Sequence, residues 1–139
     1  MDLVEAQQFS TADVSIIIHA TEDENKILDA ISNTLSIDAE KFSYLESTGH
    51  WKNKILLLTG NLESQEANAL AQKILSSLSS LERDQISTSY DSSIDEKGNL
   101  YLRLDKQKIC QGRISLSESD SIRVKLKPVI RVSGNSIFK

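Results

Sequence analysis

The feature that most constrains this chain is the stripe Ala67, Leu70, Ala71, Ile74, Leu75 and Leu78, which recurs at the spacing of a helix with one apolar face. A helix of that kind has to bury its stripe against another element. The chain supplies one upstream, where Val14, Ile16 and Ile18 alternate with Ser15, Ile17 and His19 in the period of a strand. A further helix is expected from Thr21, whose hydroxyl can cap the first free N–H groups while Glu24 reaches back in a capping box. Glu22 and Asp23 suit the positive end of that helix, and Ile27, Leu28, Ile31 and Leu35 carry its apolar face to about Leu35.

More strands follow. Residues 42–46 and 55–59 have strand composition, and Ile55, Leu56, Leu57 and Leu58 are apolar on both faces, which predicts an interior strand. A short third helix is expected between Leu81 and Ile94. Leu100, Leu102 and Leu104 alternate with Tyr101 and Arg103 as a fourth strand, preceded by a turn in which Gly98 is the natural residue for a positive φ. Asp105 then caps one helical turn that stops at Gly112. Residues 113–116 and 122–127 are expected to close the chain as an antiparallel pair across a polar loop. The order β-α-β-β-α-(α)-β-β-β implies an α+β fold, a mainly antiparallel sheet with its helices on one face. A ferredoxin-like core with an added hairpin satisfies that order.

Length fits one domain over residues 1–139, long enough to bury roughly two thirds of its surface. No apolar run approaches the roughly 18 residues that span a membrane, and residues 1–10 lack the apolar stretch of a signal peptide. The single cysteine, Cys110, cannot form an internal disulfide, which suits a reducing cytoplasm. His19, His50 and Cys110 have none of the paired spacing of zinc ligands, so no metal or cofactor is expected. Cys110, beside Ile109 and before a glycine stop, reads as a half-buried structural thiol. Without a phosphate loop or an assembled nucleophile and base, no enzyme activity is expected.

What remains is a binding pattern. Residues 1–100 carry 7 Lys/Arg against 17 Asp/Glu, whereas residues 101–139 carry 9 against 3. The basic end either meets a strongly charged partner or pairs with the acidic remainder. In the last strand Arg123, Lys125 and Lys127 alternate with apolar residues and share one face, and Tyr101 and Arg103 have the same arrangement on the fourth strand. A solvated sheet face with cations and an aromatic is how several modules hold single-stranded RNA. Exposed strands also carry lysines merely to prevent edge association. The turn through His50, Trp51, Lys52 and Lys54 presents an aromatic among cations, either as a contact site or with Trp51 folded back over the sheet edge.

The segments ATEDENKIL (residues 20–28), TGHWKNKI (48–55), GNLYLRLDKQ (98–107) and SIRVKLK (121–127), in that order, resemble a small archaeal family described as RNA-binding and as a predicted exosome subunit. Residues 20–28, ATEDENKIL, are similar to its helix start ATEDEEKVL; residues 98–107, GNLYLRLDKQ, match its signature of the same letters; residues 121–127, SIRVKLK, resemble its terminal strand. Residues 48–55, TGHWKNKI, resemble its turn EGHFGNPI, with Trp51, Lys52 and Lys54 standing for Phe, Gly and Pro. The resemblance covers roughly residues 14–128. It implies a fold similar to the ribosomal protein that binds 5S rRNA, and a non-enzymatic RNA-binding accessory role linked to the exosome or RNA processing. The candidate RNA-binding residues are then Tyr101, Arg103, Lys106, Arg123, Lys125 and Lys127, with His50, Trp51, Lys52 and Lys54 from the turn. The alternative is an adaptor that binds exosome or ribosome components without touching RNA.

Overall fold

A computed structural model describes residues 9–48, 53–88, 98–117 and 119–129. In chain order the elements are β1 (Phe9–His19), α1 (Glu24–Leu35), β2 (Phe42–Thr48), β3 (Lys54–Glu63), α2 (Ser64–Ser77), α3 (Ser80–Thr88), β4 (Leu100–Asp105), α4 (Lys106–Cys110) and β5 (Ser121–Pro128). The strands form one sheet in the order β2-β3-β1-β5-β4, and every pairing is antiparallel. The first four positions of that order are those of a ferredoxin-like sheet, and β4 is the added strand outside β5. The expected α+β architecture is therefore present. No helix among the described residues is long and apolar enough to cross a membrane.

One face of the sheet is covered. Ala12, Val14, Ile16 and Ile18 of β1, Leu56, Leu58 and Leu62 of β3, and Ile122, Val124 and Leu126 of β5 are buried together with the α2 stripe and with Ile27, Leu28, Ile31 and Leu35 of α1. The alternation seen in the sequence thus divides each of these strands into a helix-facing and an open side. Cys110 is half-buried against this core. Gly98 and Gly112 both have positive φ, as their turns require.

The ends of the elements depart from expectation in three places. Asp23, two residues after Thr21, is the N-cap of α1 and accepts from the Lys26 N–H at 3.2 Å; the backward contact comes from Glu22, which accepts from the His19 N–H at 2.9 Å. The reciprocal capping box lies instead at α3, where Ser79 Oγ accepts from the Glu82 N–H and Glu82 Oε1 accepts from the Ser79 N–H, each at 3.1 Å.

Residues 113–116 do not form the expected strand. Leu116 makes one bridge to Leu104 on the outer edge of β4, and the Asp105 and Ser117 N–H groups bond to Ser115 and Arg103 carbonyls. The second Glu82 oxygen accepts from both the Leu116 N–H and the Ser115 hydroxyl at 2.8 Å, so this segment is tied toward α3 and cannot continue a ladder. Strand β3 is interior as expected, but among the described residues no helix covers its apolar second face. Leu57 and Ile55 stay half-buried on the open side.

Candidate nucleic-acid interface

The open face of the sheet is built by the residues that alternate with the core. Register places Thr59, Ser15, Arg123 and Arg103 in one row across β3, β1, β5 and β4; the next row is Asn61, Asp13, Lys125 and Tyr101. Neighbouring strands lie about 4.8 Å apart, and same-face residues along a strand about 6.7 Å apart. Arg103, Arg123, Lys125 and Lys127 therefore form one basic strip over β4 and β5. The Lys125 ammonium lies 5.8 Å from the centre of the exposed Tyr101 ring, within cation–π range. These residues flank a groove of about 680 Å³ whose floor runs from Asn61 to Tyr101.

The electrostatics of the strip are unbalanced. Arg103 and Arg123 are direct cross-strand partners, an arrangement of like charges that opposes sheet formation. Among the described residues no carboxylate lies within salt-bridge distance of either guanidinium or of Lys125. Lys127 has only a long contact, 3.9 Å, to Asp13 Oδ2. An anion laid along the strip removes the repulsion and meets no competing acid on β4 or β5 that is not already engaged, since Asp105 accepts from the Lys108 N–H at 3.0 Å.

Two of the other proposed contacts are placed elsewhere. Lys106 is fully buried, 0% exposed, and its assignment to the phosphate-contacting surface is corrected. Its ammonium donates to the Ile17 carbonyl at 2.7 Å and to Glu22 at 3.0 Å, and pairs with Asp120 at 2.9 Å. Lys106 follows Leu100, Leu102 and Leu104 in the buried phase of β4, opposite to Arg103, and α4 begins at this residue. Lys54 projects on the helix side of β3, remote from the strip, and pairs with Glu46 at 2.9 Å. The hydrogen bond and the charge of Glu46 raise its pKa above the ordinary value. His50, Trp51 and Lys52 lie outside the described residues.

The buried Lys106 also explains a cluster that sequence spacing did not reveal. His19, Glu22 and Asp120 bring their ligand atoms within 4.8 Å of one another, a set with metal-binding chemistry. The Lys106 ammonium already supplies positive charge between the two carboxylates. Asp13, Ser15, Thr59 and Asn61 were likewise missed as groove residues. Their only signal was position: each is a polar residue in the strand phase opposite to the buried one.

Comparison with known proteins gives the family. A family model described as RNA binding matches residues 11–128. The chain is 29% identical to an RNA-binding protein of Pyrococcus abyssi over 122 residues, 82% of this chain and 79% of that one. Crystal structures of two DUF54 proteins share the fold. One, from Archaeoglobus fulgidus, is 28% identical with a TM-score of 0.77, covering 95% of this chain and 94% of that one. The other, from Sulfolobus solfataricus, is 33% identical with a TM-score of 0.73, covering 84% and 86%. The chain belongs to this RNA-binding family.

Proposed function

We propose that the chain is a non-enzymatic RNA-binding accessory protein of the archaeal cytoplasm that holds RNA phosphates on the β4–β5 half of its open sheet face. The observation that carries this reading is the cross-strand pair Arg103 and Arg123, flanked by Lys125 and Lys127 and without a carboxylate partner for either guanidinium among the described residues. A sheet that tolerates this repulsion gains most when an anion covers it. The spacing of Arg123, Lys125 and Lys127, about 6.7 Å, suits successive phosphates of one strand. We infer from the sequence resemblance that this work lies in RNA processing, with exosome or ribosome components as companions, on a fold like that of the 5S-rRNA-binding ribosomal protein.

The test is fluorescence anisotropy of labelled single-stranded RNA across a range of salt. Replacing Arg123, Lys125 and Lys127 together by Ala is expected to weaken binding about equally for unrelated sequences. It should also flatten the log–log salt slope by about 0.7 for each phosphate that the variant no longer neutralises. A folded triple variant with full affinity and an unchanged slope removes this surface. The adaptor reading is favoured by one observation, the apolar half of the same face, where Leu45 is 63% and Ile17 39% exposed. Wild-type protein that ignores RNA at low salt, yet loses a protein partner on Leu45→Ser, would establish it.

A further inference from the structure

The basic field of the open face contains one feature that phosphate binding does not use. Asp13, in the middle of β1, is the only acid among the described residues that line the groove between Asn61 and Tyr101. It is half-buried, lies directly between Asn61 and Lys125 in register, and among the described residues touches a cation only through the 3.9 Å approach of Lys127 to Oδ2. A carboxylate there repels a phosphate backbone running along β5. It acts only as a hydrogen-bond acceptor, with two oxygens. The neighbouring Asn61 amide can donate, and Tyr101 offers an aromatic face at the other end of the row. The groove, about 680 Å³, is of the size that takes a small ligand.

Of the four RNA bases, guanine alone presents two adjacent donors, N1–H and the 2-amino group, beside an acceptor, O6. The two Asp13 oxygens match the donor pair, and the Asn61 amide matches O6. Uracil sets one N–H between two carbonyls, and adenine and cytosine each pair an amino group with a ring acceptor, which would face a carboxylate oxygen. Unpaired bases in single strands are read on this edge. We infer that the groove selects a guanine from a single-stranded RNA, with Asp13 as its specificity determinant and the β5 cations holding the flanking phosphates. This rests on the RNA-binding reading and adds the base to it.

The test uses the full chain and five-nucleotide RNAs that differ only at the central base: guanine, inosine (which lacks the 2-amino group), adenine, cytosine or uracil. Anisotropy titrations at low salt are expected to show the guanine strand bound about tenfold tighter than the adenine, cytosine and uracil strands, with inosine between. Asp13→Asn, which keeps the side-chain shape, should bring the guanine strand down to the level of the others without weakening those. The exposed Asn61→Ala change, which puts folding at little risk, should remove part of the preference. Equal binding of all five strands by wild type, or a preference that survives in Asp13→Asn, overturns the inference and leaves the RNA-binding reading standing. Failure of every strand to bind at low salt overturns both.

Discussion

The two halves of the open sheet face share one backbone pattern and carry opposite chemistry. Over β4 and β5 the outward positions are Tyr101, Arg103, Arg123, Lys125 and Lys127; over β2, β3 and the end of β1 they include Leu45, Leu57, Ile55 and Ile17. The edges differ as well. The outer edge of β4 is bridged by Leu116 and braced through Glu82, whereas β2 forms the opposite edge of the sheet. Alternation decides that a side chain faces outward but not what it meets there. A cation strip next to an apolar patch suits a polymer with a charged backbone and flat, weakly polar bases, the division found on sheet surfaces that hold single-stranded nucleic acid.

The sharpest way to probe the basic half is to compare its lysines with the buried Lys106. Lys106→Met should destabilise the protein by about 2–4 kcal/mol, less than for a wholly enclosed pair because Glu22 and Asp120 reach solvent. Its loss leaves the Ile17 carbonyl and both carboxylates without their shared donor. Lys125→Met should change stability by less than about 0.5 kcal/mol. Urea denaturation of both variants checks this, and equal effects would dissolve the distinction between a structural and a binding lysine.

The edge brace gives the next effect. Desolvation pushes the Glu82 carboxyl pKa up, but hydrogen bonds from the Leu116 N–H, the Ser115 hydroxyl and both Ser79 donors outweigh it and hold the pKa below the ordinary 4.5. A carboxylate with a depressed folded pKa contributes stability that is present above its unfolded pKa and lost as pH falls through the folded value. Glu82→Gln should therefore destabilise by about 1–3 kcal/mol at neutral pH. The gap from wild type should narrow as pH drops below the ordinary carboxylate range. A gap independent of pH between 6 and about 3 would contradict the assignment.

The smallest effect comes from the like-charge pair. Arg123→Gln should stabilise the free protein by about 0.2–1 kcal/mol at low salt, since Arg103 then faces a neutral partner. High salt should erase the gain. Loss of stability on this change would mean that the two guanidinium groups are not in mutual repulsion.

Much of this architecture was legible in the sequence. The stripe from Ala67 to Leu78 and the alternations at Val14, Leu100 and Ile122 determined which faces are buried. Arg103, Arg123, Lys125, Lys127 and Tyr101 came out on one surface because period-two alternation within paired strands allows nothing else. Lys106 was misread although it stands in the buried phase of Leu102 and Leu104, because a charged residue there needs partners, and Glu22 and Asp120, which supply them, are distant in sequence. The capping box at Ser79 and Glu82 has the same sequence signature as the one expected at Thr21 and Glu24. Only tertiary contact, through Ser115 and Leu116, distinguishes the two. Residues 113–116 looked like a strand because Ile114 and Leu116 alternate with polar neighbours, a pattern too short to exclude a single bridge.

The central claim is that RNA lies on the basic half of the open face. The most direct measurement is a titration of isotope-labelled protein with a short single-stranded RNA, followed by backbone amide chemical shifts. The largest changes are expected at residues 101–103 and 123–127, with smaller ones at Asp13, Ser15 and Asn61 along the groove. Changes concentrated on α1, α2 and α3, or confined to Leu45, Leu57 and Ile17, would contradict it.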